Sequence, residues 1–255
     1  TDGTLVAGAA TYAFGGSGAT AGLLTINGGS LDASVNATIT NAVTLGANLT
    51  FVGTANLTQN TGAITLTAAR TVTVNGSTLT LNGLISGATY GITKAGIGTL
   101  NLGGANTFSG GLTLSAGTLI LANNAALGTG VFTVNGGVVD ASPSAISITN
   151  AVTLGADLTF TGTANLTQGT GAVSLGADRT LTVNGSMLTL GGVIGGSGAG
   201  FTKAGTGTLK VTAANTYSGA TNLNAGTLIL GSSFFALGGS GSSAGLFTVN
   251  GGVLD

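Results

Sequence analysis

Residues 41–61, NAVTLGANLTFVGTANLTQNT, return at 150–170 as NAVTLGADLTFTGTANLTQGT, with three differences in twenty-one positions. Self-similarity on this scale constrains the fold more than any other feature. Each copy is a supersecondary unit that cannot bury its apolar face alone, so neighbouring copies must stack to bury a shared core. The correspondence continues through Arg70 and Arg179, Asn75 and Asn184, Lys94 and Lys203, and Asn106 and Asn215, and ends in AGTLIL at 116–121 and 225–230. A second marker occurs three times, as TINGGSLD (25–32), TVNGGVVD (133–140) and TVNGGVLD (248–255). The chain is therefore read as one continuous repeat segment, 1–255, holding a partial unit, 1–31, and two units, 32–139 and 140–254. Small insertions near Pro143, near Phe234 and before Leu246 separate the copies. Insertions with both flanks intact belong in surface loops. The stretch 13–24, AFGGSGATAGLL, matches 236–247, ALGGSGSSAGLF, so the same loop is expected at both places.

Within each unit the apolar residues recur every second position, as in Leu49/Phe51, Ile64/Leu66, Val72/Val74, Leu79/Leu81 and Leu119/Leu121, alternating with Thr, Asn or Ser. Such alternation marks strands with one buried and one solvated face. The runs are four to six residues long and end in Asn-Gly, Gly-Gly, Ser-Gly or Ala-Gly, where glycine turns the chain without a Cβ clash. No helical period competes, and Thr and Gly are poor helix formers. Antiparallel hairpins and a parallel solenoid both fit. The solenoid is favoured by the short, even spacing and by Asn27, Asn75, Asn135, Asn184 and Asn250 at one strand end, which suggests an Asn ladder between coils. The expected fold is all-β: a single-stranded right-handed parallel β-helix of about a dozen coils at ~20 residues per coil.

Composition then narrows the function. Only 4% of residues are charged and the formal net charge is −1, against a usual charged share of about 25%. Solvated faces must therefore be built from Thr, Ser, Asn, Gly and Ala. At 43% hydrophobic the chain is not a disordered one. No basic cluster is present for nucleic acid or anionic lipid, and no apolar run is long enough for a transmembrane helix. The start, Thr1-Asp2-Gly3-Thr4, has neither Met nor a basic stretch, so it is read as an interior segment rather than a signal peptide.

Two segments carry a family pattern. They are KAGIGTLNLGGANTFSGGLTLSAGTLILANNAALG (94–128) and KAGTGTLKVTAANTYSGATNLNAGTLILGSSFFALG (203–238). They resemble the autotransporter-associated β-strand repeat in Lys94, Gly96, Gly98, Thr99 and Leu100, then Asn106, Thr107, Phe108 and Gly110, then Gly117, Thr118 and Leu119. The second copy matches at Lys203, Gly205, Gly207, Asn215, Tyr217, Gly219 and Gly226 and departs at Ala213, where the first has Gly104. The resemblance implies an extracellular β-helical passenger of a Gram-negative surface protein, with an outer-membrane barrel beyond this C-terminus.

Catalytic constellations are missing by residue type. Without His or Cys, the Ser-His-Asp and Cys-His triads have no members. Lys94, Lys203 or Lys210 next to a serine is the remaining formal option, but the family pattern gives Lys94 and Lys203 a structural role. Glycoside cleavage needs paired carboxylates. The chain has no Glu, and Asp32, Asp140 and Asp255 are one repeated position, read as a turn or ladder residue. Arg70 and Arg179 recur one unit apart, either paired locally at a coil corner or free for a partner, and Asp178 precedes the second of them. Gly-Ser-Gly near 15–18, 195–198 and 238–241 lacks the Lys and Thr of a phosphate loop and the Asp of calcium-binding rolls. Asn36, Asn48, Asn56, Asn75, Asn165 and Asn184 open glycosylation triplets, which a chain rich in Asn and Thr also produces by chance. Thr-x-Thr pairs such as Thr78/Thr80 and Thr180/Thr182 raise ice binding, but their spacing along the chain is irregular and Thr is the default outward strand residue. No catalytic, cofactor-binding or metal-ligating residue is expected.

The sequence thus predicts a non-catalytic extracellular rod or filament segment whose partner is itself, end to end or side by side, or a surface ligand. An adhesin is the alternative, with the loops at 13–24 and 231–246 and residues Phe234 and Phe235 as contact points. A stalk carrying an enzyme outside the segment is the third reading.

Overall fold

The computed structural model describes residues 3–11, 14, 21–231, 237–238 and 246–255. Phe234, Phe235 and most of the two Gly-Ser loops lie outside the described residues. All the regular structure among the described residues is β, in strands of two to five residues. Thr, Val, Ile and Leu dominate the strands because branched and apolar side chains pack well on a pleated, half-buried surface. Most three-residue strands bury their first and third side chains and turn the middle one, usually Thr, outward. This is the period-two pattern of the sequence made physical.

The chain forms two compact units, Thr1–Gly130 and Val131–Asp255. Each is a coil of three faces in which every strand pairs in parallel with strands about one turn away. In the first unit, the first face stacks Leu24–Ile26, Val43–Leu45, Ile64–Leu66 and Ile85–Ser86. The second face stacks Thr4–Ala7, Ser30–Ala33, Leu49–Phe51, Arg70–Val74, Ile92–Ala95 and Leu112–Leu114. The third stacks Ala37–Ile39, Leu57–Gln59, Thr78–Leu81, Thr99–Leu102 and Thr118–Leu121. The second unit repeats the plan. Its first face holds Phe132–Val134, Val152–Leu154, Val173–Leu175 and Ile194–Gly195. Its second face holds Val138–Ala141, Leu158–Phe160, Arg179–Val183, Phe201–Ala204, Thr221–Leu223 and Phe247–Val249. Its third face holds Ile146–Ile148, Leu166–Gln168, Met187–Leu190, Thr208–Val211, Thr227–Leu230 and Val253–Leu254.

The β-solenoid anticipated from the sequence is therefore present, with about ten coils among the described residues. The coils are uneven: the turn that carries Leu24 to its partner Val43 is shorter than the turn that carries Thr4 to Ser30. Corner length varies, whereas strand register does not.

The core is a set of ladders. Leu57, Leu79, Leu100 and Leu119 stack on one another inside the first unit, and Leu166, Leu188, Leu209 and Leu228 inside the second, all buried. Burying each such side chain stabilises the coil by about 1.5–3 kcal/mol. Phe201 and Tyr217 meet edge to face at 5.4 Å between ring centroids.

The Asn ladder is corrected. Asn27, Asn75, Asn135 and Asn184 do not stack on further asparagines. Each faces a glycine one coil later, Gly46, Gly96, Gly155 and Gly205, where a Cβ would come within 3.0 Å of the Asn Oδ1. The glycine leaves room for the amide. Asn250 alone of the five has an amide partner, Asn224, at 2.9 Å.

Candidate functional site

Polar side chains at inward strand positions are the first candidates, because an unpaired polar group in a core is costly. Lys94 and Lys203 occupy such positions and are fully buried. The Lys94 Nζ donates to the carbonyls of Ala95 and Gly96 at 2.8 Å and of Ala116 at 3.0 Å. Lys203 does the same to Ala204 at 2.7 Å, Gly205 at 2.8 Å and Ala225 at 3.1 Å. Three ammonium hydrogens thus meet three carbonyls that the coil corners leave unpaired. Burial lowers the pKa of each lysine to about 8. Gly117 and Gly226 complete the cages: φ is 70° and 69°, and a Cβ there would lie 2.8 Å from the lysine nitrogen. The corner therefore demands glycine on both counts.

Asn106 and Asn215 hold the next coil. The Asn106 Oδ1 accepts from the Ile85 amide at 2.8 Å and its Nδ2 donates to the Ala126 carbonyl at 2.7 Å, while the Asn215 Oδ1 accepts from the Ile194 amide at 2.8 Å. Gln59 and Gln168, which the sequence reading passed over, are buried and do the same work. Gln59 donates to the carbonyls of Asn41 and Gly62 and accepts from the Gly83 amide; Gln168 donates to those of Asn150 and Gly171 and accepts from Gly192. The available signal was a polar residue on the inward beat of Leu-Thr-Gln, recurring unchanged one unit later.

Most of the charged residues are also consumed by the fold. Arg70 donates to the carbonyls of Leu45 and Gly46 at 3.0 and 2.6 Å; Arg179 donates to Leu154 and Gly155 at 2.9 and 2.7 Å. These are carbonyls of the preceding coil, which is the locally paired reading. Asp32 accepts from the Thr54 hydroxyl at 2.6 Å and from the amides of Gly53 and Thr54. Burial pushes its pKa up, but these hydrogen bonds outweigh that and hold the carboxyl below its ordinary value. Asp140 repeats the contact with Thr163. Asp178 accepts from the Gly200 amide at 2.8 Å. Asn48 and its counterpart Asp157 differ in charge, yet each accepts from a Thr amide one coil on, Thr71 or Thr180, at 2.9 Å. Among the described residues no three His, Cys, Asp or Glu side chains gather where a metal ion would be held.

What faces solvent is mostly hydroxyl and methyl. Thr25, Thr44 and Thr65 stack on the first face, and Thr78, Thr99 and Thr118 on the third. Threonines irregular in sequence are thus regular in space, once per coil. Ser86 closes the first column, and the neighbouring third-face column passes from Thr80 to Asn101 and Ile120. An apolar edge runs beside the first face. Leu23, Ala42, Ala63 and Leu84 follow one another there, since the Leu24, Val43 and Ile64 amides donate to the Ala42, Ala63 and Leu84 carbonyls at 2.8–2.9 Å. The second unit places Val131, Ala151, Ala172 and Val193 in the same way. Leu23 and Leu84 are 66% and 43% exposed, Val131 and Val193 46% and 42%.

Residues 92–121 and 201–230, the segments built around the two caged lysines, match the model of the passenger-associated-transport-repeat family. The chain carries two passenger-associated transport repeats. Both repeats contain the lysine cage, the Asn clamp and the buried ring of Phe108 or Tyr217, so the matched segments carry much of the hydrogen bonding between coils. A curated relative, an adhesin BmaC autotransporter of Brucella suis biovar 1 (strain 1330), is 34% identical over 205 residues, which is 79% of this chain. The chain spans 5% of that relative's length. No solved structure matches. The repeats and this relative place the chain outside the cell, in passenger-type sequence at the bacterial surface. No helix among the described residues is long and apolar enough to cross a membrane.

Proposed function

We propose that the chain is a non-catalytic spacer of a surface passenger, a β-helical rod segment that projects or connects, with adhesion as its second capacity. One observation carries the reading: in both units Lys94 and Lys203, Arg70 and Arg179, Asp32 and Asp140, and the buried amides of Gln59, Asn106, Gln168 and Asn215 spend their hydrogen bonds on backbone or hydroxyl groups of the repeat itself. Solenoid stability sums over neighbours, so a protein built this way lengthens with little penalty.

Adhesion is favoured by the name of the relative, an adhesin, and by the apolar edge at Leu84 and Val193. Scattered apolar residues on a surface are ordinary, but a column of them is a contact surface. Beads coated with the purified chain separate the readings. Attachment to host cells or matrix that falls on Leu84→Asp and Val193→Asp supports the adhesive reading. Clumping of beads with one another supports self-association as the partner. Beads that neither attach nor clump leave the spacer, and turnover of any polysaccharide or peptide substrate by the purified chain overturns the non-catalytic reading.

A further inference from the structure

Two copies of Thr-Val-Asn-Gly-Gly fall within Val131–Asp255, at 133–137 and 248–252. They do not lie on the same face. Phe132–Val134 is on the first face, where Phe132 pairs with Val152 and Thr133 with Thr153. Phe247–Val249 is on the second, where Thr221 pairs with Phe247 and Asn222 with Thr248. The following strand shifts with it: Val138–Ala141 pairs with Leu158–Phe160 on the second face, but Val253–Leu254 pairs with Thr227–Leu230 on the third. The first unit shows the same step. Gly-Thr-Leu at 3–5 lies on the second face, with Leu5 beside Leu31, whereas Gly-Thr-Leu at 117–119 lies on the third, with Leu119 beside Leu100.

The cause is visible between Leu24 and Gly130. Four coils use three strands each. In the fifth, residues 103–110 take the first-face position without forming a strand, and Thr107 donates to the Ile85 carbonyl at 2.9 Å. After Leu112–Leu114 and Thr118–Leu121, residues 122–130 return to that position: Asn106 donates to the Ala125 carbonyl at 3.2 Å and Thr129 to that of Phe108 at 3.0 Å. Residues 103–130 thus add four positions to the three-faced coil, one more than a full turn. Sixteen positions on a three-faced coil make roughly five and one third turns per sequence period.

We infer that any surface feature carried once per period is turned by one face at each recurrence, so a passenger built of such periods presents it on three sides in succession. Copies on the same side recur after three periods, or sixteen coils, about 77 Å apart at ~4.8 Å per coil. The fitting partner is a ligand that engages a single period's surface, approached from any side, not one that tracks a continuous stripe of identical sites. The inference rests on register and holds whether the passenger is a spacer or an adhesin.

Cysteine pairs in this cysteine-free chain test it. Cα partners on adjacent parallel strands lie about 4.8 Å apart, within disulfide reach. Asn222→Cys with Thr248→Cys should cross-link on mild oxidation, as should Thr133→Cys with Thr153→Cys. Thr216 follows Gly195 on the first face, so Thr216→Cys with Thr248→Cys is the pair that a whole number of coils would bring together, and it should not cross-link. Cross-linking of the Thr216/Thr248 pair overturns the inference, as does failure of the Asn222/Thr248 pair in a protein whose Thr133/Thr153 pair forms.

Discussion

Replacing Asn106 by Leu removes the clamp between three coils and keeps the branching of the side chain at Cγ. Two buried groups lose their partners, the Ile85 amide at 2.8 Å and the Ala126 carbonyl at 2.7 Å. Each unpaired group costs about 1–3 kcal/mol, and the apolar side chain returns roughly 1 kcal/mol by its own burial. The net loss should be about 3 kcal/mol. Because solenoid coils depend on their neighbours, the loss should appear around the fourth and fifth coils of the first unit before the whole chain unfolds. Hydrogen exchange reads this directly. The Ile64 amide, bonded to the Leu84 carbonyl at 2.8 Å, should exchange roughly a hundredfold faster, since about 1.36 kcal/mol is one factor of ten. Asn215→Leu should do the same at the Val173 amide, which is bonded to the Val193 carbonyl at 2.9 Å. Asn60→Ala is the control: the site is exposed and carries Gly169 in the second copy, so its effect should stay within about 0.5 kcal/mol. An Asn106→Leu protein that loses less than about 1 kcal/mol in urea, with Ile64 exchange unchanged, would refute the argument that buried amides hold these coils together.

The caged lysines give the chain an alkaline signature. Their folded pKa, about 8, lies below the ordinary 10.5, so between these values the unfolded chain binds more protons and stability rises with pH, by at most about 1.4 kcal/mol per pH unit for each lysine. Tyr217 acts the other way: burial raises its pKa to about 12 from 10, against the hydrogen bond with Thr221, so its contribution is lost only as pH climbs above 10. Urea titrations from pH 7 to 10 should therefore show increasing stability, and Lys94→Met with Lys203→Met should flatten that slope. Gly192→Ala would set a Cβ 1.7 Å from the Gly171 carbonyl oxygen; overpacking backbone against backbone should cost at least about 1–3 kcal/mol, seen as a lowered thermal midpoint. Apolar gaps of about 20 Å³ open inside both units, bordered by Val43, Leu45 and Gln59 in one and Val152, Leu154 and Gln168 in the other. Val43→Ile and Val152→Ile should fill them and stabilise by about 0.5–1 kcal/mol each, raising the urea midpoint.

The sequence alone determined which side of each strand is buried. Side-chain direction alternates with every residue, so Leu57, Leu79 and Leu100 declare themselves inward without reference to any other part of the chain. It also determined the corners, where Gly-rich dipeptides end each run, and the repeat that brings the coils together. The passenger-repeat pattern around Lys94 and Lys203 was legible for the same reason: it is local and it recurs.

What only the tertiary structure decided is which residue stands beside which in the next coil. That depends on corner lengths, which make the coil from Thr4 to Ser30 longer than the coil from Leu24 to Val43, and a shift of one corner changes every neighbour above it. So the asparagines spaced as a ladder meet glycines instead, threonines that look irregular in sequence form columns in space, and Thr-Val-Asn-Gly-Gly sits on one face at 133–137 and on the next at 248–252. The inward position of Gln59 was readable, but its three hydrogen bonds, to Asn41, Gly62 and Gly83, span neighbouring coils. Strand alternation is a property of one chain segment, whereas stacking register is a property of the closed coil.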